Sequence, residues 1–233
     1  MKERPIPFSD AMALAAFNGS KTQTRRIVKP QPDARFRHLE IHRDGCVEVG
    51  ISIDSPNHYQ IQCPYGAVGD RLWVRESYYQ FGHWEPVTNA KTKGGKQKWK
   101  FVADFREIRF ENPAGSALRL GRHSKDSESM AWHKRLARFM PRSACRNVLK
   151  ITGIRVERLR DITENDARAE GAQFHDGRPT EHHGWRYDRN HGYVYPTARD
   201  SFVNLWDTIN GPASWDENTW VWVIEFKRVE VSK

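Results

Sequence analysis

The chain has 233 residues, of which 38% are hydrophobic and 12% aromatic, so it has enough apolar material for a packed core and is not disordered throughout. Its net charge of +9 favours polyanionic partners, meaning nucleic acid or an anionic membrane surface. No apolar run approaches the roughly 18 residues of a membrane span, so we expect no membrane attachment.

The N-terminal segment and the cysteines indicate the cellular compartment. No apolar segment follows the charged N-terminus, as it would in a signal peptide. The three cysteines, Cys46, Cys63 and Cys145, are widely spaced and form no CxxC pair, which is typical of reduced thiols. We therefore expect a cytoplasmic protein without a disulfide framework.

The first predicted element is a helix over residues 10–18. Ser9 has the residue type of an N-cap, and Gly19 has the position at which glycine commonly ends a helix. Residues 21–26 then begin just beyond the helix C-terminus, where we expect a tight loop. Residues 33–62 have the pattern of irregular strands and turns.

Two β-strands are predicted further along the chain. Apolar and polar residues alternate over residues 71–76, which predicts a half-buried strand after the Gly69-Asp70 turn. Residues 148–159 form a longer β-rich run, in which we expect Gly153 to produce a bend or a bulge.

Two helices in the C-terminal part are predicted from capping patterns. Thr163 and Asp166 have the spacing of a capping box, and Gly171 ends that helix after about two turns. A second capping box precedes an amphipathic helix whose apolar residues recur at positions i, i+3, i+4 and i+7, namely Phe202, Leu205, Trp206 and Ile209. The apolar run over residues 220–226 predicts a central strand.

Residues 172–196 have the composition of a polar loop rich in histidine and glycine. The spacing of its histidines matches no zinc signature, so we expect no metal site there and no other cofactor.

A basic insertion is predicted over residues 80–146, between two parts of one domain at 1–79 and 147–233. Residues 77–147 hold 15 Lys and Arg against 6 Asp and Glu, a net charge of +9, while the remainder holds 23 of each. A basic helix is expected around residues 130–139. The candidate nucleic-acid contacts of the insertion are cationic or aromatic side chains: Lys96, Lys98, Trp99, Lys134, Arg135 and Arg138. A mobile, solvated arm is the alternative.

Strands outnumber helices, and no strand-helix alternation predicts parallel βαβ units. The expected fold class is therefore α+β, with a small mixed β-barrel and short flanking helices.

Four motifs, taken in order, resemble the ASCH family. They are a Gly19-x-Lys21-x-x-Thr24 motif after the first helix, Gly69-Asp70 before a strand, the helix ending at Gly171, and the closing strand. The resemblance covers roughly residues 5–79 and 147–230, and long chains of this kind look like proteins encoded by phages and prophages. It implies a PUA-like β-barrel with a central cleft and an RNA-related ligand.

The resemblance also implies a chemistry. Small bacterial ASCH proteins are amidohydrolases that act on N(4)-acetylcytidine with a Lys, a Thr and a Glu, which match Lys21, Thr24 and Glu170 here. Hydrolysis by a side-chain nucleophile needs a hydroxyl group, a base and a donor for the oxyanion. A lysine acts as a base only when its pKa is lowered, and Arg25 and Arg26 can supply the neighbouring positive charge. We expect Gly19, Arg25 and Arg26 to contact the RNA or modified nucleoside.

Three other functions are open from the residues alone. The same cleft of a noncatalytic RNA- or DNA-binding module would hold a modified base without cleaving it. In a ribonuclease, Lys21 and Arg26 would stabilise a phosphoryl transition state. The sequence also permits a structural role in phage assembly. Glu170 has an alternative too, as a surface carboxylate paired with Arg168 or Lys21.

Overall fold

A computed structural model describes residues 1–32, 38–41, 46–50, 58–113, 118–120, 129–176, 183–187 and 194–229. Within these residues the fold is α+β, with many strands, few helices and sheets that are not closed into a barrel. The chain divides into two compact units. The first unit comprises Met1–Val74 and Arg146–Lys233, and the second comprises Arg75–Cys145.

The elements are numbered in chain order. The strands of the described residues are β1 (Glu3–Pro7), β2 (Gln23–Ile27), β3 (His38–Ile41), β4 (Cys46–Gly50), β5 (His58–Gln62), β6 (Arg71–Arg75), β7 (Tyr78–Lys91), β8 (Gln97–Arg109), β9 (Leu118–Leu120), β10 (Ala131–Arg135), β11 (Val148–Arg158), β12 (Gln173–His175), β13 (Gly184–Arg186) and β14 (Trp220–Val229). The α-helices are α1 (Asp10–Phe17), α2 (Glu164–Ala169) and α3 (Ala198–Asn210), and short 3-10 turns occur at Ala137–Phe139, Arg142–Ala144 and Leu159–Asp161.

The main sheet of the first unit has the strand order β1-β6-β11-β14-β2. Strand β14 lies inside this sheet and pairs antiparallel with both β11 and β2, which confirms the predicted central strand. Trp222 and Ile224 face a core that includes Met12 of α1, whereas Val221 and Val223 face a second core. Both faces of β14 are thus covered, which explains its continuous apolar run.

The predicted strand features of β6 and β11 are confirmed. Leu72 and Val74 of β6 are buried, and the residues that alternate with them, Arg71, Trp73 and Arg75, are half-buried. The pairing of β11 with β14 shifts register between Ile151 and Gly153. A Cβ atom at Gly153 would lie 2.6 Å from a carboxylate oxygen of Glu225, so a larger residue does not fit this bulge without a shift.

The helix caps in the first unit follow the sequence pattern. The Ser9 hydroxyl accepts a hydrogen bond from the backbone N–H of Met12 at 3.3 Å and caps α1. Thr163 and Asp166 form both hydrogen bonds of a capping box at α2. The Thr197 hydroxyl accepts from the Asp200 N–H at the start of α3. The predicted positions of all three helices are therefore confirmed.

Two expectations for the C-terminal part are wrong. Within residues 172–196, Gln173–His175 and Gly184–Arg186 pair as an antiparallel two-stranded sheet, so this segment is not only a loop. Ile209 is 61% exposed and does not belong to the buried face of α3, because the last turn of that helix extends past the core.

The second unit contains a four-stranded sheet with the order β8-β7-β10-β9. The predicted basic helix around residues 130–139 is wrong, because Ala131–Arg135 is strand β10 and only a 3-10 turn follows it. Trp132 lies opposite Phe81 of β7, and their rings meet edge to face at 5.8 Å. This cross-strand pairing outweighs the local helical pattern.

None of the helices in the described part of the chain has the length and apolarity to cross a bilayer.

Candidate functional site

Lys21 lies in the short connection between α1 and β2. Gly19, with φ +81°, turns the chain after the helix, and the Lys21 N–H then donates to the Ala15 carbonyl at 3.1 Å. The Lys21 side chain is 3% exposed. Its ammonium donates to a carboxylate oxygen of Glu170 at 2.7 Å and to the Glu170 backbone carbonyl, also at 2.7 Å.

Glu170 is the C-cap of α2 and is 3% exposed. A carboxylate at a helix C-terminus is disfavoured by the helix dipole, by some tenths of a kcal/mol. Here the Lys21 ammonium binds both the last carbonyl of the helix and the carboxylate, so one cation neutralises both groups. The carboxylate is therefore held by a specific partner that lies 149 residues away in the sequence.

Gly171 permits the close approach of Lys21 to the end of α2. Its φ of +104° lies in the left-handed region that favours glycine. A Cβ atom at this position would lie 3.2 Å from Cβ of Lys21 and 3.4 Å from Cβ of Ala15. A side chain at residue 171 would therefore press against the side chains of Lys21 and Ala15.

Arg25, predicted as a ligand contact, is at the centre of a buried ion-pair cluster. Its side chain is fully buried, and its guanidinium pairs with Glu157, with Asp166 at 3.5 Å and with Glu170 at 3.3 Å. The guanidinium carbon also lies 5.8 Å from the centre of the Phe202 ring. Buried charges need such partners because desolvation is costly.

The cluster extends towards the surface through residues to which the sequence motifs assign no role. Arg155 of β11 donates to Glu157 at 3.0 Å, to Asp166 at 2.8 Å and to Glu225. The Gln23 amide donates to the Asp166 carboxylate at 3.1 Å. The available sequence signal was the alternation of Arg155 and Glu157 on one face of a predicted strand, which places opposite charges side by side.

Thr24 lies within β2 rather than in a loop, opposite Ile224, and is 2% exposed. The side chains of Gln23 and Arg25 point to the face of α2, so strand alternation directs Thr24 to the other face together with Arg26. Among the described residues, the Thr24 hydroxyl makes no hydrogen bond to Lys21 or Glu170. The structure thus joins Lys21 directly to Glu170 but not to Thr24.

The ring of Phe8 contacts both Lys21 and Arg26. The Lys21 ammonium lies 5.4 Å from the ring centre and the Arg26 guanidinium lies 5.6 Å from it. Arg26 also donates to the Pro7 carbonyl at 2.9 Å. Lys21 and Arg26 therefore contact a common aromatic side chain on either side of Thr24.

Burial dominates the electrostatics of Lys21. It lowers the pKa of the ammonium below its usual 10.5, the opposing charge and hydrogen bond of Glu170 do not fully offset it, and the charges of Arg26 and Arg25 lower the pKa further. Burial raises the pKa of Asp166, but hydrogen bonds from Thr163 and Gln23 outweigh this effect and bring the pKa to about 2. Burial thus makes the Lys21 ammonium easier to deprotonate.

The predicted contacts of the insertion all lie in the second unit. Lys96, Lys98 and Arg138 are exposed, whereas Trp99 is half-buried. Strand alternation and the pairing of β7 with β8 put Lys98 and Trp99 on opposite faces of the sheet. Lys134 lies 5.9 Å from the Tyr79 ring on one face, while Arg135 contacts an aromatic group on the other. These residues therefore do not form one continuous surface.

One cavity of the first unit lies next to the β12 and β13 strands and is not lined by the Gly19–Arg26 segment. It measures about 300 Å³ and is bounded by the β12–β13 hairpin and Tyr187. The described residues include no group of three or more His, Cys, Asp or Glu side chains placed to hold a metal ion. His182 and His191 of the predicted polar loop lie outside the described residues.

Comparison with known proteins identifies no family for this chain. No protein-family model, no curated protein and no solved structure matches the chain.

Proposed function

We propose that this chain is an amidohydrolase that removes an acyl group from a modified cytidine of the N(4)-acetylcytidine kind, with Thr24 as nucleophile, Lys21 as general base and Glu170 as the residue that orients Lys21. The single observation that carries the proposal is the buried contact of Lys21 with Glu170 at 2.7 Å. This contact joins two residues far apart in the sequence, and it fixes a lysine of lowered pKa that is close in sequence to a hydroxyl nucleophile.

In the proposed reaction, Lys21 acts first as a base and then as an acid. Neutral Lys21 takes the proton of the Thr24 hydroxyl as its oxygen bonds to the acyl carbon. The bond between the acyl carbon and the exocyclic nitrogen of the base then breaks, and Lys21 returns the proton to that nitrogen. Water hydrolyses the Thr24 ester, which releases the carboxylic acid and restores the hydroxyl. Catalytic hydrogen bonds are often long before substrate binds, and the proposal requires the Thr24 hydroxyl to come within hydrogen-bonding distance of Lys21 in the complex.

The fold forms part of the same proposal. We propose that the first unit has a PUA-like fold of the ASCH type, although its main sheet is open rather than a closed barrel. The support is the order of its parts: Lys21 follows α1, Gly69 precedes β6, Gly171 ends α2, and β14 closes the unit.

The test is acetate release from N(4)-acetylcytidine, free and within a short RNA strand. Thr24→Ser keeps a hydroxyl and should keep measurable turnover, whereas the nearly isosteric Thr24→Val should reduce turnover by at least about 100-fold. Both variants should fold, as checked by circular dichroism. If the wild-type protein releases no acid from any acylated cytidine, or if Thr24→Val is as active as Thr24→Ser, the hydrolase proposal is wrong.

A second candidate function is nucleic-acid binding by the second unit. The guanidinium of Arg135 lies 5.3 Å from the Phe139 ring, and that of Arg138 lies 5.0 Å from the same ring. Phe139 is 52% exposed, so this turn presents an aromatic ring between two cations. Such a combination suits phosphate contacts and base stacking.

A further inference from the structure

The β12–β13 hairpin forms a cavity beside the Lys21 site. The cavity measures about 300 Å³, and its described lining residues are Gln173, Phe174, His175, Arg186 and Tyr187. None of them belongs to the proposed catalytic group. The cavity therefore requires its own explanation.

Two of the lining residues form a hydrogen-bonding pair suited to an anion. Arg186 donates to Nδ1 of His175 at 2.9 Å. Because a guanidinium only donates, Nδ1 must accept, so the neutral His175 ring carries its proton on Nε2. The guanidinium has five N–H donors, and a phosphate can accept two of them side by side. His175 thereby fixes the direction of an arginine at the cavity wall.

Phe174 provides a stacking surface at the same cavity. It is 56% exposed, so its ring is accessible from solvent. Its ring is held edge to face against Trp185 at 5.4 Å, and Trp185 is in turn covered by the Arg168 guanidinium at 4.7 Å. An exposed ring that is fixed from behind is typical of surfaces on which bases stack.

Two residues that line the cavity hydrogen-bond to residues next to the Lys21 site. The Gln173 amide donates to the hydroxyl of Ser20 at 3.3 Å, and Ser20 directly precedes Lys21. The Tyr187 hydroxyl donates to the Ala167 carbonyl of α2 at 2.7 Å, in the helix that ends at Glu170. Burial raises the pKa of Tyr187 well above its usual value, so the phenol remains a neutral donor.

We propose that this cavity binds the nucleotide adjacent to the modified cytidine in a single-stranded RNA. Arg186 and His175 hold the phosphate, Phe174 stacks on the neighbouring base, and the Gln173 amide hydrogen-bonds its edge. The inference rests on the proposed function in placing the modified base at Lys21. It names the substrate as an RNA strand rather than a free nucleoside.

The closing experiment is equilibrium binding at low ionic strength, because binding is measured without turnover. The probes are a fluorescently labelled tetracytidylate RNA, cytidine monophosphate and cytidine. Phe174→Ala and Arg186→Gln should each weaken binding of the RNA strand by about tenfold or more, while Arg186→Lys should restore part of the affinity. Ile209→Ala and Arg160→Gln are the matched controls, since they change exposed residues of the same unit, and they should leave binding unchanged.

The outcomes separate this inference from the hydrolase proposal. Wild-type affinity for the RNA strand in both cavity variants overturns the subsite, whether or not acetate is released. Weakened binding in both variants without any acetate release supports the subsite and contradicts only the hydrolase. If cytidine monophosphate binds as tightly as the strand and responds equally to Arg186→Gln, the cavity takes a free nucleotide and the RNA-strand assignment is wrong.

Discussion

Lys21 and Arg25 are two buried cations that share the carboxylate of Glu170. The ammonium binds one oxygen at 2.7 Å and the guanidinium approaches the other at 3.3 Å. Glu157 and Asp166 add negative charge next to Arg25, so its guanidinium has three carboxylate partners. Removal of one charged residue leaves its former partners buried without a counter-charge. This destabilises the fold more than replacement of a whole ion pair by apolar residues does.

Arg25 and Arg26 make a matched pair for testing this cluster. Arg25→Met should lower the free energy of unfolding by about 3–5 kcal/mol, because three carboxylates lose a buried partner. Arg26→Met should lower it by about 1 kcal/mol or less, since Arg26 is half-buried and donates mainly to a backbone carbonyl. Urea unfolding of both variants measures the difference, and equal losses would contradict a structural role special to Arg25.

The protonation of Lys21 predicts a pH dependence for hydrolysis. The active form is the neutral amine, so kcat/KM should rise with pH until the pH passes the Lys21 pKa, which lies below 10.5. Lys21→Arg retains the positive charge but cannot lose its proton, and it should reduce kcat/KM by at least about 100-fold at every pH. A Lys21→Arg variant with the wild-type pH profile would remove Lys21 from the role of base.

Helix α2 connects the two ends of the cluster. Its N-terminal capping box uses Asp166, which also accepts from Arg155 at 2.8 Å, and its C-terminus binds Lys21. The helix has only 6 residues, too few to be stable alone. Its position therefore depends on these contacts, and so does the position of Glu170.

Substitutions at Gly171 and Gly69 allow the cost of backbone strain to be measured apart from the cost of a side-chain clash. Both have positive φ values, +104° and +95°, but a Cβ atom at Gly69 would meet nothing within 4 Å. Gly69→Ala should therefore cost about 1–2 kcal/mol of stability from the backbone alone. Gly171→Ala should cost about 1–3 kcal/mol more, because its methyl group presses on Lys21 and Ala15. Thermal unfolding tests this order, and an equal loss in both variants would contradict it.

The two units divide the charge of the molecule unequally. Composition placed the boundaries of the insertion at residues 80 and 146, and the contacts within the chain place the second unit at Arg75–Cys145. The excess of +9 in residues 77–147 contrasts with the balanced remainder, in which the cations of the described cluster are paired with carboxylates. Attraction of a polyanion is therefore expected from the second unit, and any chemistry from the first.

Lysine neutralisation tests this division of roles. Changing Lys93, Lys96 and Lys98 to Gln should weaken RNA binding and lower the slope of log affinity against log salt by about one for each phosphate that the variant no longer neutralises. The same change at Lys29, Lys150 and Lys227, three exposed lysines of the first unit, removes equal charge and should have a smaller effect. Equal effects of the two triple variants would show that net charge, and not the second unit, attracts RNA.

The local elements of this protein followed from the sequence because short-range patterns specify them. Ser9 and the Thr163–Asp166 pair cap their helices through hydrogen bonds within a few residues, and the apolar run of β14 requires a strand covered on both faces. The pairing of Lys21 with Glu170 was one of the expected arrangements, since the resemblance matched both residues.

Contacts between distant segments decided the rest. Residues 131–135 form a strand because they pair with β7. Thr24 belongs to strand β2 because this segment pairs with β14. Arg25 and Arg26 are adjacent and chemically identical, so only the alternation of a paired strand could direct one into the carboxylate cluster and the other towards Phe8. Burial then lowered the pKa of Lys21, a property that depends on what surrounds the ammonium in space and not on its neighbours in sequence.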